Sequence, residues 1–255
     1  MILAILQARV SSSRLPGKVL KPLLGQPMLA RQIERLRRSR RLQRLVVATS
    51  DQREDDALAE LCRALDVPCH RGSLDDVLDR FHGAALPYRA EQIVRLTGDC
   101  PLADPEVIDA CIDFHLAGGY DYTSNAIRPT FPDGLDVEVF RAECLEQAWR
   151  EATLPSQREH VTPFIHGQPE RYRIGHYRGQ RDLSHLRWTV DEPEDFALVE
   201  AIYAELYPTD AAFSTRDILA LVDRRPELAT LNTSFARNEG YAKSLAADAM
   251  NSKKV

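Results

Sequence analysis

Three cationic side chains follow the first apolar run of the sequence within ten residues. Arg9, Arg14 and Lys18 belong to the stretch QARVSSSRLPGK, which comes at the end of the apolar residues 2–7. A loop that leaves a strand and leads towards a helix presents backbone N–H groups to phosphate, and the cations add positive charge. The stretch therefore predicts a cradle for a polyphosphate. The alternative is a simple turn at Pro16-Gly17 with solvated cations.

The loop differs from two common nucleotide-binding patterns. It does not match GxxxxGK[ST], the phosphate loop of many nucleotide hydrolases. It also lacks the GxGxxG pattern of dinucleotide-binding domains. A different class of phosphate site is indicated.

Two aspartates end apolar runs that lie far apart in the chain. Asp99 stands in RLTGDCPL and Asp191 in RWTVDEPED. Mg²⁺ prefers oxygen ligands and takes one or two protein carboxylates, with phosphate and water at its other positions. The two side chains are therefore candidate metal ligands. Each also has a structural alternative, because Asp99 could cap a turn and Asp191 could be the N-cap of the helix that begins near Pro193.

Apolar runs typical of strands alternate with helical patterns over the first half of the chain. Predicted strands cover residues 2–7, 45–48, 67–70 and 92–96, and predicted helices cover 27–38, 55–65, 75–85 and 105–115. Such alternation predicts a three-layer α/β/α fold with a mostly parallel sheet. In this class, ligands bind beyond the carboxyl ends of the strands. The phosphate loop and Asp99 would both lie there.

The pattern changes after residue 120. Short extended stretches at 121–124, 135–140 and 170–177 flank a predicted helix at 142–151. We interpret 120–185 as a small strand-rich insertion that binds the acceptor and contributes to a dimer contact. Residues 1–255 then form one domain, which continues with a strand at 188–190, helices at 194–206 and 215–223, and a polar C-terminal tail.

Composition excludes several classes of protein. The chain has 255 residues, a net charge of −5 and five cysteines without a CxxC pair. The acidic balance argues against a nucleic-acid binder, and the cysteines indicate neither a disulfide framework nor a zinc site. No apolar run is long enough for a membrane span or a signal peptide, so we expect a cytoplasmic protein. The arginine-rich segment 31–44 is interpreted as a solvated helix face.

The stretch QARVSSSRLPGKVL resembles the cytidylyltransferases that activate 3-deoxy-octulosonate and sialic-type acids, especially the spore-coat polysaccharide protein F branch. The resemblance extends over nearly the full chain and implies a Rossmann-like nucleotidyltransferase fold. It implies that CTP binds at Ala8, Arg9, Ser12, Arg14 and Lys18. It also implies catalytic roles for three residues and Mg²⁺ binding by two. The catalytic residues would be Arg14, Lys18 and Asp99, and the metal ligands Asp99 and Asp191.

Two further segments resemble parts of the same family. The segment that contains Arg71 and Ser73 resembles the lining of the nucleotide base, although Ser73 could equally cap the next helix. The segments DGLDVE and REH resemble the acceptor side. Their candidate acceptor-binding residues are Asp133, Asp136, Glu138 and His160. Ion pairs among these charged residues are the alternative.

The resemblance implies attack of a sugar hydroxyl on the α-phosphorus of CTP, with pyrophosphate as the leaving group. The acceptor would be a sugar or an acidic eight- or nine-carbon sugar used in surface polysaccharide or glycan precursor synthesis, and the enzyme a homodimer. Three alternatives stay open from the sequence. They are a nucleotidyltransferase for another nucleoside triphosphate, a non-catalytic nucleotide-sugar binding protein, and a glycosyltransferase.

Overall fold

The structure, a computed structural model, describes residues 1–12, 14–233, 235, 237 and 239–252. Ser13, which belongs to the predicted phosphate loop, lies outside the described residues. The strands are β1 (Ile2–Gln7), β2 (Pro22–Leu23), β3 (Gln26–Pro27), β4 (Arg44–Ser50), β5 (Cys69–Gly72), β6 (Gln92–Thr97), β7 (Tyr122–Ser124), β8 (Glu138–Arg141) and β9 (Ile174–His176). The helices are α1 (Met28–Leu36), α2 (Asp56–Ala64), α3 (Val77–Ala85), α4 (Pro105–Gly118), α5 (Ala142–Glu151), α6 (Pro155–His160), α7 (Pro163–His166), α8 (Pro193–Leu206), α9 (Thr215–Arg224) and α10 (Glu239–Ser252).

A seven-stranded sheet with the order β5-β4-β1-β6-β8-β7-β9 forms the centre of the molecule. The four strands β5, β4, β1 and β6 are parallel to one another. Strand β8 is antiparallel to both β6 and β7, and β9 is parallel to β7. The predicted mostly parallel α/β sheet is therefore confirmed. The strands predicted within 120–185 are shorter than expected, and they extend the central sheet.

Both faces of β1 are buried, which explains why the strand is a continuous apolar run. Leu3 and Ile5 pack in one core cluster with residues of α3 and α5. Ala4 and Leu6 pack in a second cluster with residues of α1, α2 and α4. All four side chains have no exposed surface. The helices thus cover the two faces of the sheet in the predicted three layers.

The strand predicted at 188–190 is wrong. These residues are extended, but they lie outside the named strands, and a single isolated bridge joins Asp133 to Arg187 beside them. The N–H of Trp188 donates to the Asp133 carbonyl at 2.6 Å, and the N–H of Val190 donates to the Asp99 carbonyl at 2.8 Å. The segment is apolar because it packs with α8 and α9 in a third core cluster. The backbone N–H groups of Trp188 and Val190 therefore bond to carbonyls of loops and not to a neighbouring strand.

The interpretation of the arginine-rich segment as a solvated face is wrong for several of its residues. Arg35 is 2% exposed, donates from Nε to the Ala103 carbonyl at 2.8 Å and lies 4.4 Å from the ring centroid of Phe213. Arg31 donates to the hydroxyl of Tyr207 at 2.6 Å. These arginines join α1 to the chain after α8, because a guanidinium can bond carbonyls and stack on aromatic rings at once.

The polar tail also differs from the prediction. Residues 239–252 form α10, which packs against α6. Its polar composition is consistent with a helix that lies on the surface of the domain. Within the described part of the chain, no helix has both the length and the apolar character that a membrane span needs.

Gly134 allows the segment at 188–189 to approach the loop that precedes β8. Its φ is 104°, and a Cβ atom would lie 2.5 Å from the backbone nitrogen of Thr189 and from the carbonyl carbon of Trp188. We expect Gly134→Ala to lower the free energy of unfolding by about 2–5 kcal/mol, through positive-φ strain and overpacking against backbone.

Gly25→Ala is the matched control. Gly25 has a φ of 75°, and no atom lies within 4 Å of its Cβ position. Only the conformational cost of about 1–2 kcal/mol should remain. Urea denaturation measures both variants, and equal losses would contradict the close approach at Gly134.

Candidate active site

One large cleft opens at the carboxyl ends of β1 and β6, with a volume of about 1040 Å³. Such a volume suits a nucleotide together with a second small molecule. The cleft is lined by most of the predicted site residues, namely Ala8, Arg9, Ser12, Arg14, Lys18, Ser73, Asp99, Asp133, Asp136, Glu138, His160 and Asp191. The predicted phosphate loop, the two carboxylates and the acceptor segments therefore share one site.

A buried carboxylate holds the loop after β1. Asp55 is 1% exposed, accepts from the N–H of Val10 at 2.6 Å and from the N–H of Ser50 at 3.1 Å. Farther along the loop, the N–H of Gly17 donates to the carbonyl of Val10 at 3.0 Å. The loop is thus fixed to the end of β4 and closed on itself, which lets it present its cations to the cleft.

The Lys18 ammonium lies between the two predicted metal ligands. Its Nζ is 2.8 Å from Oδ1 of Asp191, 3.5 Å from Oδ2 of Asp99 and 2.7 Å from the carbonyl of Val190. The structure therefore brings together two carboxylates that are 92 residues apart in sequence (191 − 99 = 92). One cation from the loop after β1 connects both.

The charges of this cluster fix its protonation. Burial acts to lower the pKa of Lys18, but the charges of Asp99 and Asp191 outweigh burial and raise it. Burial acts to raise the pKa of Asp99, but the Lys18 charge and the hydrogen bonds from Thr97 and Cys100 lower it. Lys18 is therefore a cation and Asp99 an anion at neutral pH.

Arg14 also forms an ion pair with Asp191. Its Nη2 lies 2.9 Å from Oδ2 of Asp191, and its Nη1 lies 3.4 Å from Oε1 of Glu192. Arg9, an exposed residue, lines the cleft on the same loop. The three predicted cations thus surround one end of the cleft.

Asp195 positions Asp191 from behind. Asp195 has no exposed surface and accepts from the N–H groups of Asp191 and Glu192 at 2.9 and 3.0 Å. It also accepts two hydrogen bonds from the Arg187 guanidinium at 2.9 Å and one from Asn232 at 2.8 Å. The N-cap of α8 is Glu192, so the alternative that Asp191 is only an N-cap is wrong.

Ion pairs of buried residues also line the cleft. Glu138 contacts Arg95 and accepts from the hydroxyls of Tyr122 and Thr162 at 2.5 Å. These partners outweigh burial and lower the pKa of Glu138. Glu138 is therefore ion-paired, but its partner belongs to β6, so this pair differs from the alternative of ion pairs among the acceptor segments.

The two aspartates of the DGLDVE segment are less strongly compensated. Asp133 pairs with Arg187 at 3.2 Å, and Asp136 contacts Arg237. Burial raises the pKa of both carboxyl groups, for Asp136 to about 7. Asp136 can therefore donate as well as accept a hydrogen bond near neutral pH.

The two residues predicted to contact the base have different positions. Ser73 lines the cleft, and its hydroxyl accepts from the N–H of Asp76 at 3.0 Å. The N-cap of α3 is Asp76, so the alternative that Ser73 caps this helix is wrong. Arg71 is not among the residues that line the cleft. Its guanidinium donates to the carbonyls of Ser50 and Gln52 at 3.0 and 2.8 Å, so the β4–α2 connection holds it outside the cleft. We therefore exclude Arg71 from the candidate site.

Several contributing residues were missed in the sequence. Asp195 could have been noticed, because it stands four residues after Asp191 in the same DEPED stretch. Asp55 and Arg95 carry no comparable signal, since their partners are remote in sequence. Tyr241 lies in the supposed tail, yet it lines the cleft.

We expect Asp195→Asn to lower the free energy of unfolding by about 3 kcal/mol at pH 7, because it breaks a buried ion pair. Asp217→Asn is the control, since Asp217 is an exposed capping carboxylate in α9 and should cost about 1 kcal/mol or less. Burial alone would raise the pKa of Asp195, but Arg187 and the N–H donors lower it.

The lowered pKa of Asp195 makes its contribution to stability depend on pH. A carboxyl group whose pKa falls on folding stabilises the protein above its unfolded pKa of about 3.9, and this contribution is lost as the pH falls towards the folded pKa. The stability difference between wild type and Asp195→Asn should shrink below about pH 4. Denaturation at pH 7, 5 and 3.5 measures it, and a difference that grows towards low pH would contradict the assignment.

Comparison with known proteins agrees with this geometry. A family model described as cytidylyltransferase matches residues 3–217. An uncharacterized protein of Methanocaldococcus jannaschii is 38% identical over 246 residues, which cover 94% of this chain and 97% of that protein. The spore coat polysaccharide biosynthesis protein SpsF of Bacillus subtilis is 36% identical over 236 residues, with 90% and 97% covered. The structure of a cytidylyltransferase from Leptospira borgpetersenii superposes with a TM-score of 0.86 at 32% identity, over 92% of this chain and 99% of that one. The chain therefore belongs to the cytidylyltransferase family and is a nucleotidyltransferase.

Proposed function

We propose that this enzyme transfers CMP from CTP to a hydroxyl group of a sugar, with Mg²⁺ and with release of pyrophosphate. The observation that carries the proposal is the position of the Lys18 ammonium between Asp99 and Asp191, at the mouth of the loop after β1. The family description supports CTP as the donor. The name of the Bacillus subtilis relative supports a role in polysaccharide synthesis.

The nucleotide end of the cleft suits a triphosphate. Arg9, Arg14 and Lys18 provide three cations on one loop, and the loop backbone is held by Asp55. Guanidinium groups bind phosphate oxygens in pairs, and an ammonium acts as a compact charge. Ala8, Ser12 and Ser73 add small side chains along the same wall, where they leave space for the nucleotide.

The residues present fit a divalent metal ion. Oxygens of Asp99 and Asp191 lie 3.5 and 2.8 Å from the same atom, Nζ of Lys18, and both carboxylates are partly open to the cleft, with 27% and 19% of the side chain exposed. Hard oxygen donors and an adjacent phosphate site are what Mg²⁺ requires. Once bound, the ion would supply charge stabilisation at the phosphate oxygens. Asp99 and Asp191 would hold it.

The transfer forms a bond between the sugar oxygen and the α-phosphorus and breaks the bond from that phosphorus to the oxygen that joins it to the β-phosphorus. This oxygen leaves as a terminal oxygen of pyrophosphate. The hydroxyl proton leaves to solvent or to a basic oxygen nearby. Such reactions depend on alignment and on charge stabilisation, without a covalent enzyme intermediate. Arg14 and Lys18 would stabilise the charge that develops on the leaving pyrophosphate. Lys18 is suited to this role because its neighbours keep it protonated.

The opposite end of the cleft suits a polyhydroxylated acceptor. Asp133, Asp136, Glu138 and His160 line it. Carboxylates accept hydrogen bonds from hydroxyl groups, and Asp136, whose pKa is raised to about 7 by burial, can also donate one. An acceptor held there would approach the nucleotide end from the side of Asp99.

Calorimetric binding of CTP, UTP, GTP and ATP with Mg²⁺ tests the proposal. We expect CTP to bind most tightly and Lys18→Met to weaken CTP binding by about tenfold to a hundredfold, because a charge-assisted contact to phosphate contributes about 1.5–3 kcal/mol. Lys21→Met is the matched control. Lys21 lies three residues further along, outside the residues that line the cleft, with its Nζ 4.8 Å from the ring centroid of Phe196.

A second variant tests the metal site. Asp99→Asn should remove most of the increase in CTP affinity that Mg²⁺ produces, and its melting temperature reports folding separately. Equal affinities for the four nucleotides would contradict the choice of CTP. Equal effects of the Lys18 and Lys21 substitutions would contradict the phosphate site.

A further inference from the structure

Helix α10 covers the acceptor end of the cleft. The hydroxyl of Ser244 lies 2.9 Å from Nε2 of His160 and donates to Oε2 of Glu159 at 2.8 Å. At the other end of the contact, the N–H of Ser156 donates to Oδ1 of Asp248 at 3.3 Å. These bonds fix α10 along α6, so the last helix of the chain borders the site.

Tyr241, on α10, lines the cleft. Its ring meets the His160 ring edge-on, with centroids 5.0 Å apart and planes at 72°. It also meets the His166 ring at 6.5 Å and 78°. His166 in turn lies 5.6 Å from the ring of Tyr122, whose hydroxyl donates to Glu138. A continuous row of rings thus runs from α10 to the carboxylate on β8.

This row has the chemistry of a sugar site. Sugars present both hydroxyl groups and apolar C–H faces, and pockets that bind them combine aromatic walls with a few polar groups. In this cleft, Tyr241 supplies an aromatic wall beside His160, while Glu138 supplies an acceptor oxygen farther along the row. The family model matches residues 3–217, and Tyr241 lies after the end of that match.

We propose that Tyr241 contacts the acceptor sugar and helps to determine which sugar this enzyme uses. The assignment rests on the proposed function and places the contact on a helix outside the family match. The ring of Tyr241 packs against the apolar face of the acceptor, and its hydroxyl group is secondary.

The test compares Tyr241→Ala, Tyr241→Phe and Leu245→Ala. Leu245 is on the same helix with 45% of its surface exposed, which makes it a control for changes to α10. Pyrophosphate release is measured with CTP, Mg²⁺ and a panel of 3-deoxy-manno-octulosonate, N-acetylneuraminate, N-acetylglucosamine and glucose. CTP affinity by calorimetry and the melting temperature are measured for each variant.

We expect Tyr241→Ala to raise the KM for the sugar that wild type uses by about tenfold or more, while the affinity for CTP changes less than twofold. Tyr241→Phe and Leu245→Ala should keep KM within about twofold of wild type. A KM unchanged in Tyr241→Ala overturns the assignment. So does a rise accompanied by an equal loss of CTP affinity or of thermal stability, since that result would indicate a structural role alone.

The failure of the proposed function gives a different result. If wild type binds no CTP, the proposed donor is wrong whatever Tyr241 does. If wild type binds CTP and uses none of the four sugars, the proposed sugar acceptor is overturned, and the assignment of Tyr241 with it.

Discussion

The ammonium of Lys18 connects three parts of the chain that are otherwise remote from one another. It belongs to the loop after β1, and it contacts a carboxylate at the end of β6 and another just before α8. Any one of these three charges would destabilise the half-buried cleft if it stood alone, since burying an unpaired charge is costly. Together, Lys18, Asp99 and Asp191 hold the loop after β1, the end of β6 and the start of α8 in one arrangement. The cleft exists because these three parts meet.

A second layer of charge supports this contact. Asp195 is fully buried and accepts hydrogen bonds from the N–H groups of Asp191 and Glu192, which fixes the position of Asp191. It also pairs with Arg187. Arg187 also faces Asp133 on the acceptor side at 3.2 Å. One guanidinium therefore connects Asp191, a proposed metal ligand, with Asp133, a proposed acceptor-binding residue. A substitution of Arg187 would therefore disturb Asp133 and Asp191 together. Variants of residues that contact only one of these aspartates separate donor binding from acceptor binding better.

The proposed acceptor site depends on the part of the sheet that departs from the parallel pattern. Strand β8 runs antiparallel between β6 and β7, and this direction brings Glu138 next to Arg95. Helices α6 and α10 then close this side with His160 and Tyr241. The nucleotide end uses elements within the family match, whereas part of the acceptor wall comes from beyond it.

Local pattern was sufficient for much of this protein. Continuous apolar runs predicted the parallel strands, because strands covered on both faces have no polar side. The position of Arg9, Arg14 and Lys18 after β1 predicted a shared site, and all three line the cleft, while phosphate binding by this loop stays a prediction. The sequence could not show that residues 188–190 lie outside the sheet, since a buried extended segment has the same apolar composition as a strand. Nor could it show that Arg35 is buried or that Tyr241 reaches the cleft. Those outcomes depend on partners remote in sequence, and only the packing of α1, α6, α8 and α10 brings the partners within contact distance.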